Sequence, residues 1–385
     1  MASDMKHLRG KTACVGAATH GCGEAPGWNS MELTGRAALM ALDDAGLSVS
    51  DVDGIWAATA VHAMPGMSLA EHLGVHPKYS SGSNIGGSSF LAHALDAAIL
   101  LDAGLIDTAL IAYGSNQRSA GGFQTVSEPM PFEAQYGIRN PINAYAMAAA
   151  RYMHEFGAGR EHLAEVAVAA RAWASHNPEA FTRDPITVDD VLSARMISDP
   201  LGKLDCCLVT DGAGAVVMKR ASEAKDCKAK PVYLMGAAMA HDHRMISEMP
   251  TLTTTCAVDS SWRAFAMAGC AHEDIDTVQI YDAFTINTIL FLEDMGFCEK
   301  GEGKDFVSGG HIAPGGGLPV NTNGGGLSCV HPGMYGLFVM IEAIRQTRGD
   351  APGQQIEDVN LSIAHGNGGV LSSQVTTIWG TEDTL

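Results

Sequence analysis

The sequence predicts an α/β protein built from two similar halves, and three observations support this prediction. Apolar strand-like runs alternate with helical runs along the chain, a pattern typical of α/β folds with mostly parallel sheets. The segment that begins at Ala45 recurs at Ala268, 223 residues later. Hydrophobic residues make up 46% and charged residues 17% of the 385, so the chain can bury a large core.

The first half begins with alternating strands and helices. The predicted elements are a strand at 11–18, a helix at 31–45, a strand at 55–60, a helix at 86–103 and a strand at 108–113. Gly46 follows the first helix and is a normal helix terminator. The second helix is apolar on nearly every face, so we expect it to lie inside the molecule.

Residues 116 to about 195 interrupt this alternation. Prolines recur in this stretch, together with two amphipathic helical runs at 144–156 and 160–175. We therefore expect an inserted loop domain rather than a disordered linker. A strand at 208–218 resumes the pattern. The predicted organisation is a first half at 1–225, which contains the insert, and a second half at 230–385.

The internal repeat joins a helix, a short acidic turn and a strand. The acidic turn at 51–53 corresponds to the one at 274–276. A looser match pairs the helix that opens at 86–87 with one that opens at 324–326, and each leads to an apolar strand. A pseudo-twofold arrangement would bring both glycine-rich helix starts to the centre, which is a natural place for a site.

Charge and cysteine usage exclude several classes of function. A formal charge of −19 disfavours contacts with nucleic-acid phosphates. The first residues contain no apolar run typical of a signal peptide, and no stretch reaches the length of a membrane span. The nine cysteines form no CxxC pair, which indicates reduced thiols and no zinc site. We expect a cytoplasmic protein that binds neither nucleic acid nor membranes and holds no metal.

Four glycine-rich clusters, at 84–89, 314–317, 321–326 and 365–369, are candidates for a binding site. Glycine lets backbone N–H groups approach a ligand, and helix starts add partial positive charge. Such clusters favour an anion or a developing oxyanion. The alternative is close packing of the two halves without a ligand.

Candidate acid–base residues lie beside these clusters. His331 stands before a proline, just inside a predicted buried helix, and can exchange a proton near neutral pH. Tyr281 and Asp282 end a predicted strand, and His365 ends another, positions that suit a site between layers. The alternatives are a core histidine bonded to a carbonyl and a buried tyrosine with its hydroxyl satisfied.

The thiols are weaker candidates. Cys206 and Cys207 are adjacent, so they point to opposite sides of an extended chain and are interpreted as core residues. Cys329 lies two residues before His331 and is a minor candidate for a nucleophile.

In their order and spacing, the motifs resemble those of the thiolase superfamily, in its sterol-carrier-protein thiolase-like, lipid-transfer branch. The matching pieces are GGSS at a helix start, LVTDGAGAVV, YDAFTIN, NTNGGG followed by HPG, and HGNGG. The resemblance implies five layers, α/β/α/β/α, from two duplicated halves with an inserted loop domain. It also implies a homodimer with residues 79–85 at its twofold interface.

The chain departs from the thiolase pattern at both family cysteines. The closest alignment puts Gly86 where the nucleophile would stand, and His365 replaces the second cysteine. The family histidine is kept as His331. Without the thiol no acyl-enzyme can form by the usual route, and Ser88 could substitute only beside a base.

Relatives that have lost the cysteine cleave β-hydroxyacyl-CoA by a retro-aldol reaction, with tyrosines near these positions and a small zinc-ribbon/OB-fold partner. The resemblance thus implies a coenzyme A thioester as substrate, with no bound cofactor. Two alternatives stay open: an acyltransferase with an unrecognised nucleophile, and a non-catalytic acyl-CoA-binding scaffold.

The resemblance also implies a set of site residues. The catalytic candidates are His331, Tyr281, His365 and Asp282. The oxyanion or substrate-binding candidates are Gly86, Gly87, Ser88, Asn323 and Gly368. Arg118, Arg139 and Arg151 are candidates for holding the phosphates of coenzyme A.

Overall fold

The computed structural model describes residues 5–59, 61–121, 130 and 132–385, so the last residue of the predicted strand 55–60 and parts of the predicted insert (122–129 and 131) lie outside it. The strands are β1 (Thr12–Gly23), β2 (Gly54–Ala57), β3 (Tyr79–Ser81), β4 (Ala109–Ser115), β5 (Met196–Ser198), β6 (Leu201–Gly202), β7 (Asp211–Arg220), β8 (Val232–His241), β9 (Thr277–Ile280), β10 (Leu361–Gly368) and β11 (Ser373–Gly380). The helices are α1 (Ser30–Ala45), α2 (Pro65–Leu73), α3 (Ser89–Asp102), α4 (Ile142–Phe156), α5 (Arg160–Ser175), α6 (Val188–Ser193), α7 (Ala221–Ala224), α8 (Ala257–Ala268), α9 (Thr285–Asp294), α10 (Gly303–Phe306) and α11 (Gly336–Arg348).

Nine of the described strands form one continuous sheet in the order β3-β2-β4-β7-β1-β8-β11-β10-β9. Its two parts meet at a short antiparallel contact between β1 and β8. On each side of this contact the pairing repeats: two antiparallel pairs are followed by a parallel one. The matching orders confirm the duplicated fold.

The helices complete five layers. Helix α1 packs on β1, β7 and β4, whereas α8 packs on β8 and β11. Helices α3 and α11 each contact strands of both parts, so they form the central layer. The α3 side chains are apolar on nearly all sides because both faces of this helix are covered, as the sequence predicted.

The acidic turns of the repeat have one structural role in both halves. The Asp53 carboxylate accepts hydrogen bonds from the backbone N–H groups of Asp107 and Thr108, directly before β4. The Asp276 carboxylate does the same for Asn360 and Leu361, at the start of β10. Each aspartate therefore fixes where the neighbouring parallel strand begins.

Two expectations about the fold are wrong. The sheet is mixed rather than mostly parallel, because β10 and β11 form an antiparallel hairpin and β7 runs antiparallel to both of its neighbours. The glycines at 324–326 begin only a short π-turn, Gly325–Cys329, and the helix α11 starts at Gly336. Pro332 and Gly333 interrupt the helical conformation between the π-turn and α11, and Gly333 has a φ of 102°.

The predicted insert supplies two helices at the expected places, α4 and α5, followed by α6 and the small β5–β6 hairpin. The boundaries of the halves and of the insert stay predictions. None of the helices in the described ranges is long and apolar enough to cross a membrane.

Candidate active site

A cavity of about 140 Å³ lies where the two halves and the insert meet. Its walls come from the start of the central layer, the carboxyl ends of β9 and β10, the loop before α11 and the start of α4. The lining residues are Gly86, Gly87, Pro141, Tyr145, Cys207, Tyr281, Ala283, Phe284, His331, Gly333, Asn367, Gly368 and Gly369. Five of the predicted site residues are therefore at one place.

Tyr281 and His331 form the polar centre of this cavity. The Tyr281 hydroxyl lies 3.0 Å from Nε2 of His331, and both side chains are buried. Burial raises the pKa of Tyr281 well above its usual value and lowers the pKa of His331 to about 4. At neutral pH the pair is uncharged, so the imidazole can accept a proton through the tyrosine hydroxyl.

The Gly86–Ser88 turn holds its position because glycine occupies its first two places. A Cβ on Gly87 would lie 1.9 Å from Cε2 of Tyr281. Gly86 has φ of 66°, and a Cβ there would lie 2.7 Å from Cα of Gly368. A cysteine at position 86 is thus excluded by both backbone conformation and space. The close approach brings the first half directly against Tyr281.

Asp282 does not face the cavity, contrary to the expectation of a catalytic role. Its carboxylate accepts hydrogen bonds from the N–H groups of Gly326 and Leu327, at 2.6 and 3.3 Å. Burial raises its pKa to about 7, an effect that these two bonds partly offset. Asp282 therefore anchors the π-turn from which the chain continues to His331.

His365 was expected at the same cavity, and this expectation is wrong. Its Nδ1 lies 2.9 Å from Oγ1 of Thr376, and its Nε2 lies 3.0 Å from Oε1 of Gln374. The ring packs against Phe291 within the second half. Both nitrogens are engaged across the β10–β11 hairpin, and His365 is not among the residues that line the cavity.

Ser88 and Asn323 also lie away from the cavity. The Ser88 hydroxyl is directed at the carbonyl oxygens of Ser373, at 2.6 Å, and Gly366, at 3.2 Å, so it joins the central layer to the hairpin. The Asn323 side-chain oxygen accepts hydrogen bonds from the N–H of Gly325 and the hydroxyl of Tyr335. Both side chains stabilise the backbone around the site, which corrects their prediction as substrate-binding groups.

The arginine candidates differ in position. Arg118 binds Glu24 and lies over the Phe181 ring, 4.7 Å from its centroid. Arg151 forms an exposed ion pair with Glu155 on α4, ten residues beyond the cavity residue Pro141. Arg139 is exposed two residues before Pro141, and its guanidinium makes no ion pair with another described residue. Of the three, Arg139 lies nearest in sequence to a residue that lines the cavity.

Three polar side chains of the cavity were not named as site residues from the sequence. Tyr145 and Asn367 contact each other there, with Nδ2 of Asn367 donating to the Tyr145 hydroxyl at 2.7 Å. Cys207 lines the cavity although it was interpreted as a core residue. Burial raises the pKa of the Cys207 thiol, and Cys329 is fully buried elsewhere with its pKa raised well above the usual value. Neither thiol is activated as a nucleophile.

Comparison with known proteins assigns the family. The family model described as "Thiolase C-terminal domain-like" matches residues 238–381. The 17-hydroxy-3-oxo-4-pregnene-20-carboxyl-CoA lyase of Mycobacterium tuberculosis is 34% identical over 362 residues, which cover 89% of this chain and 92% of that protein. The chain belongs to the thiolase superfamily. It falls in the sterol-carrier-protein thiolase-like, aldolase-like branch that lacks the nucleophilic cysteine.

Two further similarities support this assignment. An acetyl-CoA acetyltransferase of Methanothermobacter thermautotrophicus is 32% identical over 379 residues, which cover 93% of this chain and 96% of that protein. The solved structure of the Ltp2-ChsH2(DUF35) aldolase superposes with a TM-score of 0.88 and 32% identity, over 97% of this chain and 99% of that chain. The relatives of this thiolase-fold chain are thus lyase, aldolase and acyltransferase enzymes.

Proposed function

We propose that this protein cleaves the Cα–Cβ bond of a β-hydroxyacyl-CoA thioester by a retro-aldol reaction, without a covalent intermediate. The observation that supports this most strongly is the buried Tyr281–His331 pair facing a cavity that Gly86 also lines. The resemblance aligns Gly86 with the thiolase nucleophile. The names of the similar lyase and aldolase agree with the same reaction class.

The cavity supplies the groups that this reaction needs. Tyr281 takes the proton of the substrate β-hydroxyl while its own proton passes to Nε2 of His331. The oxygen electron pair forms the new carbonyl, the Cα–Cβ bond breaks, and its electrons form a thioester enolate. The Tyr281–His331 pair then returns the proton to Cα of the enolate. Burial lowers the pKa of His331 to about 4, so the protonated imidazole gives up its proton readily.

Small backbone groups complete the site in this proposal. Gly86, Gly87 and Gly368 line the cavity without side chains, so the thioester can approach their peptide groups closely. Arg139 is proposed to contact the phosphates of coenzyme A at the mouth. The coenzyme A thioester is the substrate, and the proposed reaction uses no bound cofactor.

The test is an assay of the purified protein against a panel of β-hydroxyacyl-CoA and β-ketoacyl-CoA thioesters. The proposal predicts release of a shortened CoA thioester and a carbonyl compound from β-hydroxyacyl-CoA. Turnover of β-ketoacyl-CoA with free coenzyme A, and none of β-hydroxyacyl-CoA, would contradict it. We also propose a small zinc-ribbon/OB-fold protein as a partner, so each assay is run with and without such a protein.

A second candidate function is an acyltransferase, favoured by the Cys207 thiol in the cavity and by the similar acetyltransferase. This reaction needs a thiolate, which the raised pKa of Cys207 disfavours. An acyl group found on Cys207 during turnover would establish it.

We further propose a cytoplasmic homodimer that pairs through β3. Strand β3 is an edge strand of the sheet, and its residue Tyr79 is exposed. An unpaired edge beside a buried site is a liability that a twofold contact removes. Light scattering at micromolar concentration should give the mass of a dimer, and a strictly monomeric protein would contradict this assembly.

A further inference from the structure

A line of buried side chains connects His365 with Tyr145 at the cavity wall. His365 Nε2 lies 3.0 Å from Oε1 of Gln374, and Nε2 of Gln374 donates to Oδ1 of Asn367 at 2.9 Å. Nδ2 of Asn367 donates to the Tyr145 hydroxyl at 2.7 Å. The four side chains are buried and come from the β10–β11 hairpin and helix α4. They link a core histidine to the active-site cavity.

The donor and acceptor roles along this line follow from the orientation of the Gln374 amide. Because the amide nitrogen of Gln374 faces Asn367, its oxygen faces His365, so Nε2 of His365 carries the proton. Nδ1 of His365 then accepts from the Thr376 hydroxyl, 2.9 Å away. The tautomer of His365 and the orientation of the two amides are thus coupled, and His365 is engaged on both nitrogens.

The Tyr145 hydroxyl is left as a hydrogen-bond donor. Its oxygen already accepts from Asn367, and its proton is directed to the carbonyl oxygen of Gly369 at 3.2 Å, a long bond for a hydroxyl. Gly369 lines the same cavity, so a substrate oxygen can take over this proton. Burial raises the pKa of Tyr145 to about 12, so the proton is present throughout the neutral range.

The ring of Tyr145 is held in place by aromatic packing. It packs on Phe284 with ring centroids 4.5 Å apart, and Phe284 is itself a cavity residue. Tyr281 approaches the cavity from the end of β9, whereas Tyr145 approaches from α4 in the insert. The cavity thus holds one tyrosine coupled to a base and one tyrosine fixed as a donor.

We propose that Tyr145 donates a hydrogen bond to the thioester carbonyl oxygen of the substrate, and that His365 is a positioning residue that orients this donor through Gln374 and Asn367. The inference rests on the proposed function for its role in turnover. As the Cα–Cβ bond breaks, negative charge moves to the thioester oxygen, and a donor already in place stabilises it. No proton leaves Tyr145 in this step.

The contact is tested by infrared spectroscopy of acetyl-CoA, isotopically labelled at the thioester carbonyl and bound to the full-length protein. A hydrogen bond from Tyr145 lowers the carbonyl stretching frequency in the wild type, and Tyr145→Phe should abolish most of this shift. Tyr233→Phe is the matched control, because it removes another buried tyrosine hydroxyl that has no partner among the described residues. It should keep the wild-type shift.

Turnover of a β-hydroxyacyl-CoA tests the positioning role. Loss of an oxyanion donor lowers kcat by roughly 10²–10³-fold, so Tyr145→Phe should do so with little change in KM. His365→Leu should lower kcat by a smaller factor, and His365→Gln, which keeps an N–H donor, should recover part of it. In the Tyr145→Phe background, His365→Leu should have no further effect on kcat.

The outcomes separate this inference from the proposed function. If the wild type cleaves no β-hydroxyacyl-CoA, the proposed function is wrong, whereas the infrared result still decides the Tyr145 contact. The contact is overturned if bound acetyl-CoA shows no shift in the wild type, or if the shift persists in Tyr145→Phe. An equal loss of kcat from His365→Leu with and without Tyr145 overturns the positioning role.

Discussion

The starts of the two central helices occupy equivalent places in the two halves, yet they contribute different things. In the first half, α3 follows directly on Gly86–Ser88, and the turn presents only backbone to the cavity. In the second half, the π-turn Gly325–Cys329 and the loop after it delay α11 to Gly336. The loop gives His331 room to reach Tyr281. The first half supplies a close-packed wall, and the second half supplies Tyr281 and His331, the proposed acid–base groups.

The largest effect should come from the second half. Replacing the general base with alanine typically lowers turnover by roughly 10²–10⁴-fold, and His331→Ala should do so with little change in the unfolding temperature. The measurement is steady-state kinetics with a β-hydroxyacyl-CoA. His93→Gln is the control, since His93 is a buried histidine in α3 that binds Ser83 away from the cavity. Normal turnover by His331→Ala would contradict the mechanism.

The first half can be tested by adding a single methyl group. Gly87→Ala places a Cβ 1.9 Å from Cε2 of Tyr281, so the tyrosine must move from His331. Misplacement by about 1 Å can cost on the order of 10²-fold in rate, and kcat should fall by up to this factor. Gly202→Ala is the control for the loss of a glycine, because its φ of −87° suits alanine and the new Cβ would meet no atom closer than 3.2 Å.

The comparison also predicts a pH dependence of stability. The pKa of His331 is lowered from 6.5 to about 4, so the unfolded chain binds the proton first as the pH falls. Its contribution to stability is complete above pH 6.5 and is lost between 6.5 and 4. His331→Gln should therefore lose less stability than the wild type over this range in denaturant unfolding. Parallel losses in the two proteins would show that His331 is not held neutral.

The smallest effect should come from the cavity thiol. Because burial raises the pKa of Cys207, iodoacetamide should react with it slowly, and Cys207→Ala should retain turnover close to that of the wild type. Rapid inactivation that tracks modification of Cys207 or Cys329 would favour the acyltransferase instead.

The fold was largely predictable because its signals are periodic and repeated. The repeat at an offset of 223 residues predicted two halves. Gly46 predicted the end of α1, and in the structure it has a φ of 72°. The antiparallel β10–β11 pair was missed because the glycines at 365–369 were interpreted as a ligand-binding cluster, whereas the turn of the hairpin begins at Gly369. Strand direction depends on such turns and not on the composition of the strands.

The site was predictable only in part, and the hairpin explains much of the rest. His365 pairs with Thr376 and Asn367 with Gln374 across β10 and β11, so the polar side chains satisfy one another inside the second half. His365 lies inside β10, which continues to Gly368, rather than at a strand end. Its polar cross-strand neighbours make it a core residue, and the sequence of one strand does not show those neighbours. Tyr145 was missed because the sequence does not show which face of an inserted helix meets the cavity.

The most direct test of the account is the mass of the intact protein, measured by rapid quenching while it cleaves a β-hydroxyacyl-CoA. If Tyr281 and His331 act without a covalent nucleophile, the shortened CoA thioester accumulates while the protein mass stays unchanged. A protein population that is heavier by the acyl group, formed at a rate that supports turnover, would contradict the central claim.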